Sequence, residues 1–352
     1  MNGKERISAI VDGQPVDRCG YWTGCPHADM WPKLLRHLGC TTKEDAYRSL
    51  SDDVRWIPVG QQALHPDGCF AACETEADVD AAFRWPDPDD FDFAPWLDAL
   101  KQAEGYYRFS GNLSMFFHWN CFSGFGGMQE YFIRMYTHPQ VVHAVTRRAN
   151  DYYLKLNRRF FGLAGKTMEA YKISHDFGTQ QDVMMSPAMF EEFVFPYLKE
   201  QIDLGHEYGY PVLLHCCGAI RRILPRLIEL GIDLLHPIQA CAAGMDAESL
   251  AGLKGKVTFV GGIDTQYLLV SGTPSEVEEE VRRVARALGP LVIGPSHEAL
   301  LPDVPPENVV AMARAAGTTG PYRGPARGAI RQNYSGTTRR SWTAMTPGGG
   351  WA

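Results

Sequence analysis

The sequence predicts an α/β chain folded as a distorted (β/α)8 TIM barrel with an irregular helical cap at its N-terminus. Three observations carry this. From about residue 105 onward, strand-like apolar runs alternate with single helical stretches, the mark of a parallel sheet. About six such units are legible, and a further strand over 19–22 favours a closed barrel over a doubly wound sheet. No G-x-G-x-x-G follows the first strand, which removes the usual dinucleotide signature.

In chain order, residues 106–111 read as a strand and 128–163 as largely helical, with Pro139 starting a helix after His138. A strand over 168–174, a helix over 188–208 and a strand over 211–215 follow. Then come a helix over 221–230, a strand over 233–237, a short helix over 246–253 and a strand over 257–261. A helix over 274–288 and a strand over 291–294 complete the series. Ser186-Pro187 and Thr273-Pro274-Ser275-Glu276 each put a capping hydroxyl before a proline at the first helical position. Gly209 and Gly231 stand where helices end in a left-handed residue. Residues 1–104 are rich in Trp, Pro and Asp and are expected to form a cap with the first barrel elements. Residues 105–316 make the barrel proper. Residues 317–352, Gly/Thr/Arg/Pro-rich without apolar periodicity, are expected to be a disordered tail.

Composition narrows the function. The 352 residues are 45% hydrophobic and 21% charged, as in a soluble globular enzyme. No window approaches the roughly 18 apolar residues of a membrane span, and the start, Met1 to Arg6, lacks the apolar core of a secretory signal. Net charge is −7 with scattered basic residues, which argues against nucleic acid as a partner. Nine cysteines without a repeating spacing read as reduced thiols, so a cytoplasmic location is expected.

The chemistry gathers where strands end, the rim on which barrel enzymes carry their sites. The run Pro211-Val212-Leu213-Leu214 stops at His215-Cys216-Cys217-Gly218. Residues two apart on an extended segment face the same side, so His215 and Cys217 can approach one zinc ion while Cys216 packs the other way. A catalytic zinc needs a third protein ligand. His297 is the candidate, with Glu298, Cys241 and Asp176 as substitutes. His175 and Asp176, ending another strand before Gly178, suit acid–base work or the orienting of a ligand; Gln180 follows them. Asp264 ends a further strand and is the third catalytic candidate. His236 and Gln239 supply another rim pair. His118, with Trp119, Asn120 and Phe122 before a glycine cluster, suits a pocket for a flat cofactor. Each position also has an ordinary structural reading: a buried thiol beside a bonded histidine, an aspartate capping a turn, an aromatic in the core.

At these residues the chain resembles the uroporphyrinogen decarboxylase superfamily. The matching pieces are SHDFGTQQDVMMSPAMFEEFVFPYLKEQID, LLHCCGAIRRILPRLIELGIDLLHPIQ, GGIDTQYLLVSGTPSEVEEEV and GPSHEALLPDVPPENVVAM, covering most of 170–313 in the family's order. The opening Gly3-Lys4-Glu5-Arg6 and the Pro15–Arg18 segment are also similar. The resemblance implies a distorted (β/α)8 barrel with its cleft at the C-terminal ends of the strands. The superfamily's decarboxylases carry an arginine-rich RQAGRY-type segment near the N-terminus; the comparable stretch here, Tyr21 to His27, has no arginine. Its cobamide-dependent methyltransferases carry a zinc on His-x-Cys and a later Cys. His215 and Cys217 match the first two, and His297 stands near the third. The resemblance therefore implies a Zn2+-dependent methyltransferase that works with a corrinoid (cobalamin) carried by a partner protein. The second substrate would be a small methylated compound, a thiol or a pterin. A tetrapyrrole-type decarboxylase and a non-catalytic tetrapyrrole-binding subunit are the alternatives, and self-association is expected of a barrel this size.

Overall fold

The computed structural model describes residues 1–59, 65–111 and 115–323. Eight parallel strands follow one another around a single sheet: β1 (Gly20–Tyr21), β2 (Val54–Pro58), β3 (Tyr107–Gly111), β4 (Ala170–Ser174), β5 (Val212–His215), β6 (Leu234–Ile238), β7 (Thr258–Ile263) and β8 (Val292–Pro295). Each strand from β2 to β8 pairs with its successor, and β8 returns to β1. Between β1 and β2 the ladder gives way to two aspartates. Asp53 N–H donates to the Tyr21 carbonyl at 2.9 Å. The Asp53 carboxylate accepts from Tyr21 N–H at 2.9 Å, and Asp52 accepts from Thr23 N–H at 2.7 Å. These bonds bring the sheet close to full closure as a (β/α)8 barrel, with helices between the strands.

Local chemistry sets the helix boundaries. The Ser186 hydroxyl accepts from Met189 N–H at 3.3 Å, ahead of Pro187. Thr273 and Glu276 cap each other reciprocally before the helix Pro274–Leu288. Gly231, at φ +110°, closes the helix Leu224–Leu230.

Inside the barrel the period of two sorts residues by face. Val54, Tyr107, Phe109, Ala170, Leu213, Leu234, Val260 and Val292 form an interior cluster, joined by Ile7 and Val11 of the helix Gly3–Val11. Two residues further along β4, β5 and β6, the same inward row turns polar at Lys172, His215 and His236, all buried. The apolar floor thus ends where the chemistry begins.

Three features depart from the sequence reading. The helix expected over 188–208 is two, Pro187–Phe193 and Phe195–Glu207, because Pro196 has no N–H to continue the ladder. The strand β2 carries no apolar run, since Arg55 and Pro58 interrupt it, so its pattern is that of a loop. Residues within the expected tail instead pack on the barrel: Tyr322 bridges Val16, and the Thr319 hydroxyl accepts from Cys19 N–H at 3.0 Å. The rest of that expected tail, 324–352, lies outside the described residues. No helix among the described residues is long and apolar enough to cross a membrane.

Candidate active site

The loops after β4 and β5 meet at the barrel rim through two glycines. Gly218 takes φ +93°, and a Cβ there would fall 2.3 Å from the Gly178 carbonyl. This contact sets Asp176 against Cys217, whose N–H donates to the Asp176 carboxylate at 3.0 Å. Gln239, after β6, accepts from Gly218 N–H at 2.6 Å and props the same turn.

His215 lies at the centre. Its Nε2 is 3.5 Å from Cys217 Sγ and 3.6 Å from Asp176 Oδ1. Its Nδ1 lies 2.9 Å from His236 Nδ1 and 3.4 Å from Glu298 Oε2. Glu298 reaches the site from beyond β8. Its backbone is clamped by the short parallel pair Cys25–Pro26 and Ala299–Leu300, with Cys25 N–H donating to the Glu298 carbonyl. Cys216 faces outward, as alternation predicts, and its sulfur accepts from Phe177 N–H at 3.3 Å.

The electrostatics follow from burial and neighbours. Burial pulls the His215 imidazole down to about 4, against the pull of Glu298, so the ring is neutral at pH 7. Burial, then Asp176 and Glu298, push the Cys217 thiol far above its ordinary value. Burial works against the Glu298 carboxylate, yet His215, His236 and Lys172 outweigh it and hold it down to about 2. Lys172 is pulled down to about 8 by burial, with Glu298 the largest opposing influence.

Three groups of donors lie within 4.8 Å of one another: Asp176, His215 and Cys217; His215, His236 and Glu298; Cys217, His297 and Glu298. Their chemistry fits zinc. Zinc–sulfur and zinc–nitrogen bonds of about 2.3 and 2.1 Å on a tetrahedron set the two donors about 3.6 Å apart, close to the His215–Cys217 separation. A neutral imidazole and a thiol flanked by the carboxylates of Asp176 and Glu298 bring no positive charge of their own, and a cation there would draw the thiol towards thiolate.

The other sequence candidates divide. His236 and Gln239, expected to bind a cofactor, contact His215 and the Cys217–Gly218 turn. Asp264 spends its carboxylate on the backbone N–H groups of Gln266, Tyr267 and Leu268 at 2.8 to 2.9 Å, capping its own turn. Gln180 is exposed, and its backbone carbonyl accepts from Ala243 N–H. His297 is about half exposed, at 45%, and its Nδ1 accepts from Ala299 N–H at 3.1 Å. His175, one residue out of step with Asp176, turns away from the inward row among Phe116, Phe117 and Phe177. Among the described residues neither of its ring nitrogens has a hydrogen-bond partner, and burial pulls it down to about 3, so it is neutral.

A cavity of about 330 Å3 opens on this cluster, lined by His118, Trp119, Lys172, Asp176, His215 and Glu298 among others. Lys172 is the residue that sequence reasoning missed. The signal was present: 172, 174 and 176 share one parity, so the rule that pairs His215 with Cys217 also turns Lys172 inward with Asp176.

The family model for uroporphyrinogen decarboxylase (URO-D) matches residues 123–318. The chain is 25% identical over 126 residues to the methylcobamide:CoM methyltransferase MtbA of Methanosarcina mazei, covering 36% of each. It is 25% identical over 153 residues to a methylated-thiol–coenzyme M methyltransferase of the same organism, covering 42% of this chain and 36% of the relative. A uroporphyrinogen decarboxylase of Parasynechococcus marenigrum is 29% identical over 134 residues, covering 37% and 36%. These alignments span about a third of the curated relatives' length. A solved methyltransferase from Methanosarcina mazei superposes with a TM-score of 0.64 at 15% identity, over 90% of this chain and 98% of that one. That likeness shows the barrel fold.

Proposed function

The chain belongs to the uroporphyrinogen decarboxylase (URO-D) family, and from that premise we propose that it is a zinc-dependent methyltransferase. It would move a methyl group between a small methylated substrate or a thiol and a corrinoid protein. One observation carries the reading: buried His215 meets Cys217 and Asp176 through one ring nitrogen and Glu298 beside the other, at the mouth of a small cavity. The named similarity to two methyltransferases supports it.

In this reading His215 and Cys217 are two zinc ligands and Glu298 is the third. Glu298 belongs to both donor groups that reach beyond Asp176, whereas His297 belongs to one and is half exposed. Bound there, zinc would supply Lewis acidity to a thiol or a methyl-ether oxygen, and the corrinoid would accept or supply the methyl group. The chain's own residues do the positioning. His236 holds the His215 ring, the interaction that selects which imidazole nitrogen faces Cys217. Asp176 holds the Cys217 backbone, and Gln239 the next residue. The neutral, buried His175 narrows the cavity beside His118 and Trp119 without adding charge.

The test is methyl transfer from a methyl ether or methyl thiol to reduced cobalamin, followed by the corrinoid spectrum. Cys217→Ser or removal of metal by a chelator should lower the rate at least about 100-fold. Undiminished transfer in Cys217→Ser contradicts the reading. Carbon dioxide release insensitive to chelator would favour a carboxylate decarboxylase instead.

A further inference from the structure

Most lysines keep their ammonium in water, and one enclosed in a barrel needs a reason. Lys172 sits in the middle of β4 and is 1% exposed. Its Nζ lies 3.6 Å from the centroid of the Trp56 ring, a cation–π contact. Among the described residues no carboxylate comes within the 4.0 Å of an ion pair. Glu298, Cys217 and Asp176 act on it from further away. At that range none of them serves the ammonium as a dedicated counter-charge. It also lines the cavity, where Trp119 and His118 offer flat faces and where, among the described lining residues, it is the one lysine or arginine.

We propose that Lys172 is the anion-binding residue of this cavity, and that the small substrate is a flat organic carboxylate. Its carboxylate pairs with the Lys172 ammonium, its ring lies against Trp119 and His118, and its methylated end turns to His215 and Cys217. The orientation of that methylated end rests on the methyl-transfer reading; the anion site does not. A cavity of about 330 Å3 is at the small end of ligand pockets and suits a single ring with two substituents. Trp56 serves a second purpose here. Its ring face steadies the ammonium between substrates without offering an anion that a carboxylate would have to displace.

The test is calorimetric binding of two probes of one shape, 4-methoxybenzoate and 4-methoxybenzamide, to the purified full chain. Wild type should bind the benzoate at least tenfold more tightly than the amide. Lys172→Met should bind both at the level of the amide, and Lys172→Arg should recover part of the preference. Equal affinities in wild type, no saturable binding of the benzoate in the millimolar range, or a preference that survives Lys172→Met would each overturn the inference. The wild-type comparison needs no variant, so a misfolded Lys172→Met does not protect the idea. Binding is read without turnover, so intact selectivity with no methyl transfer would sink only the proposed reaction.

Discussion

At the scale of single residues, Glu169 shows how a full set of partners holds a charge in a largely enclosed place. Glu169, just ahead of β4, accepts two bonds from the Arg108 guanidinium at 2.8 and 2.9 Å, one from Arg108 N–H, and an ion pair from Lys4. Burial alone would raise its pKa, but Arg108 and Lys4 outweigh burial and hold it below the usual 4.5. A carboxyl depressed in the folded state stabilises the fold above the unfolded value, and that contribution is lost as pH falls. Glu169→Gln should therefore cost roughly 3 kcal/mol in urea unfolding at pH 7, with the gap to wild type narrowing once pH drops below 4.5. An unchanged gap at low pH would contradict the assignment. Residue identity was legible wherever alternation was applied: His215, Cys217 and the outward Cys216 follow from it. Treating His175 and Asp176 as one pair did not apply it. Neighbours on a strand face opposite sides, and so Lys172, two and four residues before Ser174 and Asp176, went unnoticed.

At the scale of elements, strands announced themselves when both faces were covered. Strands β4 to β8 are mostly apolar because helices pack outside them and the floor cluster packs inside. The strand β2 hides because Arg55 leaves the barrel to pair with Glu44 and Asp52. The proposed third zinc ligand was hard to name for a similar reason. Glu298 lies past the end of β8, where no period applies, and only the clamp to Cys25–Pro26 brings it inward. The glycine contact that joins the β4 and β5 loops gives a prediction at this scale. Gly218→Ala adds a Cβ both to a left-handed residue and to the Gly178 backbone, at a cost of about 2 kcal/mol. Gly209→Ala, whose Cβ would meet nothing within 4 Å, should cost only about 1 kcal/mol. Denaturant unfolding of the two variants checks the order, and equal losses would show that the loop contact contributes nothing.

At the scale of the whole molecule, the barrel concentrates apolar volume at one end and donors at the other. Closure at the β1–β2 seam rests on aspartates rather than on a full ladder. Asp53 is held by Arg6 at 2.6 Å and Arg18 at 2.8 Å, and burial raises Asp52 to about 6 despite Arg55. The N-terminal residues are thereby part of the barrel's frame, which composition alone did not reveal. What the frame delivers is a rim where His215 and Cys217, from the end of β5, meet Asp176 from after β4, with Glu298 reaching His215 and Cys217 from beyond β8. The most direct test of that account is elemental zinc content per chain, measured on wild type, Cys217→Ser, Glu298→Gln and His297→Ala purified identically. The account predicts about one zinc per chain in wild type, lost in Cys217→Ser and Glu298→Gln and kept in His297→Ala. No zinc in the wild type, or full zinc in Cys217→Ser, would contradict it.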